Sequence, residues 1–499
     1  MVAYISIFML LYYIMKVKNG FKYTKNGWKY IHIRGSPHER GYAHGLLLKE
    51  EIKECLKTMK WNLYDSHGLE LDFFINISNF IFKVQIQDKF PEYFYELVGI
   101  AKGSNVNIDE LILWNNLPSL NYALSKIKLY LDDMPEVKKK YGHLIQLLPE
   151  TGALEGGSSD KCSAFMAIGE YTHDGKICCA HNTFDEYILG QFCNVIIDIK
   201  PTKGNRILYQ GYPGYIASQT DFFVNSKGFI GTETTIGGFG AYKHNVPILC
   251  RIRNCMQYAN TLDDYVEMLK KDNSGDYANS WLIGDTANNE IMRIELGLEF
   301  VNVERKKNGY FIGFNATYDP RIRNLECVNS GFDDIRRHQG ARKVRLEQLM
   351  EQHKGKINID IAKNIIADHY DVYLNKINPC SRTSCSHYDL DDRAFMSQHD
   401  RPKPYEPRGA VDGCVADSES CKNMGFYGRW GSSCGIAFNA KEFIKRHIQW
   451  KRYAPYLYDR PSQPWTYFKS LDKKPKPNIT ISKRSKRENN KTIKKSQLV

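Results

Sequence analysis

The 499-residue chain lacks an apolar run long enough for a comfortable membrane-spanning helix near its start. The run AYISIFMLLYYIM at 3–15 falls short of the roughly 20 residues that a span requires. It suits the apolar region of a secretory signal, and residues 1–20 are expected to be one. No Lys or Arg precedes the run and no small-x-small cleavage site follows it, so an uncleaved membrane anchor stays open. Paired two-residue cysteine spacings are also missing. Cys380, Cys385 and His387 have the flavour of a metal site without the usual zinc-knuckle spacing, so no metal and no cofactor is expected. An even cysteine count is missing too: thirteen leave at least one thiol unpaired. Should the signal be real, Cys380–Cys385 or a pair among Cys414, Cys421 and Cys434 are disulfide candidates.

Residues 473–499 contain no aromatic residue and one acid, Glu488, against ten Lys or Arg. That composition excludes a packed core and predicts a disordered basic tail over 471–499. The tail carries +9 of the formal +13, leaving +4 for the rest. A solvated tail is the plain reading. Adhesion to an anionic membrane surface is an alternative, and nucleic acid is the weaker partner.

What is present is a large core. Hydrophobic residues make up 42% and aromatics 13% of the sequence, enough for one large α/β unit, although length alone admits two to four domains. After the strand-like WKYIHIR, Ser36, Pro37 and Glu39 predict a helix start. Helical spacing continues to about residue 150. From 190 to 320, period-two stretches broken by Gly, Asn and Asp predict antiparallel sheets, interrupted by one helix in VPILCRIRNCMQYANTLDDYVEMLKK. Two helical patterns follow 330, a Pro- and Lys-rich loop occupies 398–409, and 410–440 reads as short edge strands. Helices and sheets together fit a four-layer αββα sandwich, an α/β (α+β) class with a helical N-terminal segment. Sequons occur at Asn76, Asn315, Asn478 and Asn490.

The organising stretch is GGSSDKCSAFMAIGEYTHDGKICCAHNTFDEY at 156–187. Gly156 to Ser159 predict a loop, and Cys162–Gly169 and Lys176–Phe184 read as buried strands. Asp174-Gly175 is a hairpin turn signal. Counting outward from that turn sets Cys162 opposite the window His181 to Tyr187, within cross-strand reach.

A loop ending at a cysteine that opens a hairpin resembles the N-terminal-nucleophile hydrolases. Within them, six patches look like the phospholipase B-like proteins and the related penicillin acyltransferase group. These are HIRGSPHERGYAHG at 32–45, DKCSAF at 160–165, AHNTF at 180–184, GFIGTETTIGGF at 228–239, NSGDYANSWLIGD at 273–285 and NPCSRTSCSHYDLDD at 378–392. The resemblance implies cleavage between Lys161 and Cys162, with residues 21–161 staying associated with a catalytic core at 162–470. Cys162 would be the nucleophile and its freed α-amino group the base. Asn279 matches the asparagine that such proteins use for the oxyanion, and His181 and Asn182 would orient the amine. Asp185 is a further candidate, although relatives read Asn-aromatic-Asp where this chain reads Asn182-Thr183-Phe184-Asp185. Arg382 is another, for a substrate carboxylate or phosphate. The expected activity is hydrolysis of an acyl ester or amide, on phospholipid or another acylated molecule, in a secreted or lysosome-like compartment. Acyl transfer, amidase action, or a non-catalytic packaging or binding role that keeps the fold are the alternatives.

Overall fold

The strand Cys162–Gly169 shows how the layers arise. Ala164, Met166 and Ile168 pack with Ile196, Leu208, Ile230 and Leu282 of a facing sheet. The intervening Phe165 and Ala167 pack with Leu346, Leu349, Ile365 and Ile366 of two helices. Successive strand side chains point to opposite faces, so a strand apolar on both must be covered on both. The computed structural model describes residues 15–147, 162–218, 222–328, 331–392 and 404–473.

The smaller main sheet has the order β13 (Gly309–Gly313), β4 (Cys162–Gly169), β5 (Gly175–Glu186), β17 (Asp412–Asp417), β18 (Gly425–Trp430) and β19 (Thr466–Lys469), with β16 (Arg408–Ala410) also beside β5. The larger sheet runs β1 (Met15–Val17), β2 (Gly20–Lys25), β3 (Trp28–Gly35), β6 (Val195–Pro201), β7 (Ile207–Gly211), β8 (Phe223–Asn225), β9 (Phe229–Thr235), β10 (Asn279–Asp285), β11 (Glu290–Leu296) and β12 (Val301–Lys306). Strands β14 (Tyr370–Asp371) and β15 (Lys376–Ile377) form a small separate pair. Among the described strands only β3 and β6 pair in parallel. The helices His338–Gln352 and Ile359–Ile366 cover the outer face of the smaller sheet. The helices Ile248–Tyr258 and Leu262–Lys270, with the N-terminal helices, cover the outer face of the larger. The result is the expected αββα order.

The N-terminal segment is built into this body. Ser36 donates its N–H to Glu39 at 3.0 Å ahead of the helix Pro37–Leu47, as its capping signature predicts. That helix lies directly on the backbone of the helix Pro91–Ser104: a Cβ on Gly41 would sit 2.0 Å from the Glu96 carbonyl, and one on Gly103 2.3 Å from the Tyr42 carbonyl. Only glycine allows this approach. Below the contact, buried Arg40 and Arg253 share the buried Glu96 carboxylate at 2.7 and 3.1 Å.

Some expectations change. The segment read as one helix at 246–271 is two, because Thr261 and Asp264 form a capping box that starts a new helix. Strands β17 and β18 are interior rather than edge strands. Their glycines do not mark an edge; they admit Trp465 against Gly413 and Trp28 against Gly428. Arg408–Ala410, read as loop, is β16. Met15–Val17, inside the expected 1–20 signal, pairs with β2. The rest of that apolar run, Lys161, and the tail from 474 on lie outside the described residues. No described helix is long and apolar enough to cross a membrane.

A substitution tests the helix contact. Gly41→Val inserts carbon where the Glu96 backbone already lies, and overpacking of this kind costs about 1–3 kcal/mol. Thermal unfolding of this variant should begin at clearly lower temperature than wild type, and an unchanged melting curve would show that the helices separate without cost.

Candidate active site

Cys162 opens β4 directly opposite Thr183 of β5, with Ser163 opposite Asn182 and Ala164 opposite His181. Facing pairs share a sheet face, so Cys162 and His181 lie on the face towards the larger sheet while Ser163 and Asn182 turn towards the helices. The hairpin register thus splits the polar cluster that sequence reading kept together.

On the inter-sheet side, Cys162 is almost wholly buried. Its thiol donates to Glu233 Oε1 of β9 at 3.6 Å, and the Tyr277 hydroxyl donates to the same oxygen at 3.2 Å. Ligand-capable atoms of Cys162, His181 and Glu233 all lie within 4.8 Å of one another. Burial depresses the His181 imidazole to a pKa of about 3, which leaves it neutral at working pH.

The backbone of Cys162 is held as firmly as its side chain. Its N–H donates to Asn315 Oδ1 at 3.3 Å, and its carbonyl accepts from buried Arg342 at 2.5 Å. Arg342 also donates to Ser163 Oγ at 3.1 Å and to Asn315 Oδ1 at 2.8 Å, and its guanidinium lies 5.1 Å from the Phe184 ring centroid. Asn315 donates in turn to the Thr235 carbonyl at 2.8 Å. Thr235 is the register partner of Asn279. The Asn279 side chain is fully buried, and neither its Nδ2 nor its Oδ1 has a hydrogen-bond partner among the described residues. A buried amide without partners costs stability, so such a group is a candidate for a ligand-directed role.

Behind the hairpin, Asn182 accepts the Ser163 N–H at 3.3 Å and donates to the carbonyls of Ile366 and Ser384 and to Ser433 Oγ at 2.7, 3.1 and 3.0 Å. It positions Ser163, the residue after Cys162, from the helix side. Asp185 accepts from the Tyr212 hydroxyl at 3.0 Å. Nearby, burial lifts the Asp412 carboxyl to about 7 against hydrogen bonds from Thr183 and Gln210. Arg382, considered for a substrate anion, is instead fully buried and forked onto Asp371 through Nε at 3.0 Å and through Nη2. Asn315 is likewise not a glycan acceptor, because its side chain is fully buried inside the Cys162 network.

Sequence reading missed Glu233, Tyr277, Asn315 and Arg342. Two carried a conformational signal that only coordinates reveal: Tyr277 has φ 48° and Asn315 φ 64°. Asparagine tolerates the left-handed region, whereas a bulky tyrosine there is strained by about 1–3 kcal/mol, as residues at functional sites often are. The loop bearing Tyr277 and Asn279 is anchored by Asp276, which accepts from Arg251 at 2.9 Å and from Ser119 of the N-terminal segment at 2.5 Å. The proposed disulfides do not form: the thirteen cysteines are thiols. Cys380 Sγ points to Asp371, Cys414 Sγ to Gln210 and Cys421 Sγ to the Phe229 carbonyl.

Comparison with known proteins adds a lineage to this geometry. A family model described as phospholipase B matches residues 24–459. A phospholipase B from Crotalus adamanteus is 27% identical over 243 residues, which cover 43% of this chain and 41% of the snake protein. Phospholipase B-like protein C from Dictyostelium discoideum is 23% identical over 352 residues, covering 61% of this chain and 60% of its own. Phospholipase B-like protein F from the same organism is 28% identical over 207 residues, 38% of this chain and 36% of that one. The alignments therefore span less than two thirds of these curated relatives. Among solved structures, a variant of a conjugated bile acid hydrolase from Clostridium perfringens aligns at 14% identity and a TM-score of 0.34, covering 54% of this chain and 89% of that one.

The Arg342 fork is open to a direct test. Arg342→Met leaves the Cys162 carbonyl, Ser163 Oγ and Asn315 Oδ1 without this donor, and each buried acceptor left unpaired costs about 1–3 kcal/mol. The urea midpoint should fall, with Arg342→Lys recovering only part because an ammonium cannot reproduce the planar fork. Equal midpoints for all three proteins would remove Arg342 from the account of the site.

Proposed function

Because the chain belongs to the phospholipase B family across residues 24–459, we propose that it is a self-processing cysteine hydrolase of the N-terminal-nucleophile type that cleaves acyl ester or amide bonds of phospholipids or other acylated lipids. The observation that carries this reading is the double grip on Cys162: its N–H on Asn315 and its thiol on Glu233, in the buried interior of the sandwich.

In this reading the Cys162 thiol attacks the Lys161 carbonyl, the C–N bond breaks, and the thiol proton ends on the released nitrogen. Water then hydrolyses the thioester, giving a Lys161 carboxylate, a free thiol and an α-amino group at Cys162. That amine has a reference pKa of about 7.7–8.0, close to the thiol's 8.5, and so is matched to take the thiol proton at neutral pH. His181 is poorly matched by comparison, with a pKa of about 3. Arg342 lies one hydrogen-bonding step from the same nitrogen through Asn315, and its charge favours the neutral amine.

For the substrate, the thiolate attacks the acyl carbonyl while the Asn279 amide and backbone N–H groups hold the oxyanion. The alcohol or amine leaves with the proton carried by the α-amino group, and water releases the fatty acid from sulfur. Ser119 on Asp276 and Arg253 on Glu96 support the expectation that 21–161 stays bound after cleavage. The apolar run at 3–15, read as a secretory signal, puts the chain in a secreted or lysosome-like compartment, and the basic tail is suited to anionic membrane surfaces.

Two measurements check this. Purified wild-type chain should run as two fragments, one beginning at Cys162 by Edman sequencing, and Cys162→Ala should stay uncut with unchanged circular dichroism; processing of that variant ends the proposal. In processed enzyme, Asn279→Ala should lower kcat about 100- to 1,000-fold on an acylated lipid or acyl amide without lowering the melting temperature, since its amide has no partner to lose. Capture of the thioester by added amine in preference to water would redirect the assignment to an acyltransferase.

A further inference from the structure

On the helix side of β5, four side chains from three separate loops converge. His369 precedes β14, Cys385 and His387 precede the short turn Tyr388–Leu390, and Cys434 follows β18. One ligand-capable atom from each lies within 4.8 Å of all the others. His387 Nε2 stands 3.6 Å from Cys385 Sγ and 3.4 Å from Cys434 Sγ. Its other ring nitrogen faces Asp389 Oδ1 at 3.3 Å, and Tyr187 donates to that oxygen at 2.8 Å. A carboxylate on Nδ1 fixes the ring and leaves Nε2 as the electron-pair donor, the usual second layer of a metal-bound histidine. His369 Nε2 is buried and has no hydrogen-bond partner among the described residues. The Ile436 N–H points at Cys434 Sγ from 3.4 Å, in a turn where Gly435 has φ 85°.

We infer that His369, Cys385, His387 and Cys434 form a closed structural zinc site. Two thiolates and two imidazoles are the donor set that selects zinc over oxygen-seeking cations. Four protein ligands leave no open position for substrate, so the ion serves the fold. The site is distinct from the Cys162 cluster. Asn182 connects the two, because it donates to the Ser384 carbonyl and to Ser433 Oγ, the immediate neighbours of Cys385 and Cys434. A metal that locks those loops fixes the partners of Asn182 and, through it, the backbone beside the nucleophile. The absence of a metal expected from linear spacing is thereby revised. The ligands fall at 369, 385, 387 and 434, and no local motif joins them.

The test uses the full chain expressed with added zinc and purified without oxygen, reductant or chelator. Elemental analysis should give about one zinc per chain, retained in Cys162→Ala and reduced at least tenfold in Cys434→Ser and His369→Ala. Replacement by cobalt in the wild-type protein should give thiolate-to-metal charge transfer and tetrahedral ligand-field bands, a readout that does not depend on the variants folding. Three results would overturn the inference: metal lost in Cys162→Ala but kept in Cys434→Ser, a metal-free chain two hydrogens lighter with Cys385 joined to Cys434, or a metal-free chain with both thiols free.

Discussion

The pairing of Cys162 with Thr183 is the constraint on which the site depends. A slip of one residue in that register turns every side chain of the strand to the opposite face. Cys162 would then point at the helices, and Ser163 would meet Glu233. The register is secured because both faces of β4 are buried, with Ala164, Met166 and Ile168 in one apolar layer and Phe165 and Ala167 in the other. Packing on both sides therefore aims the thiol at the larger sheet.

Polar groups at that point are costly unless paired, since an unmatched buried donor or acceptor gives up its hydration for nothing. The chain meets this with a connected set: Arg342 serves the Cys162 carbonyl, Ser163 and Asn315, while Asn315 joins the Cys162 N–H to the Thr235 carbonyl. Against that background the partnerless amide of Asn279 and the strained backbone of Tyr277 stand apart. Stability is surrendered locally where chemistry is proposed, and the surrounding sandwich supplies the rest.

The segment before Cys162 is part of the same solid. Its helices are pressed together through Gly41, Gly45, Gly99 and Gly103, and Arg40 and Arg253 from either side of Cys162 share Glu96. Contacts of this kind do not depend on the peptide bond ahead of Cys162. Asn182 plays the corresponding part on the other face, bonding three loops that arrive from Ile366, Ser384 and Ser433.

The sequence alone determined the hairpin and the layers, and it singled out Cys162. Period-two apolar alternation, an Asp174-Gly175 turn and a cysteine after a Gly-Ser loop are local signals, readable because each depends on neighbours a few residues away. Comparison of the patches gave the family for the same reason. Tertiary structure decided the rest. Glu233 reaches the thiol from 71 residues away and Arg342 reaches the Cys162 carbonyl from 180, distances over which no periodicity carries information. It also separated His181 from Asn182, put Arg382 onto Asp371, buried the sequon at Asn315 and gathered two histidines and two cysteines from 369 to 434 into one cluster. Register and chain crossing set those outcomes, and both are properties of the folded sheet rather than of any stretch within it.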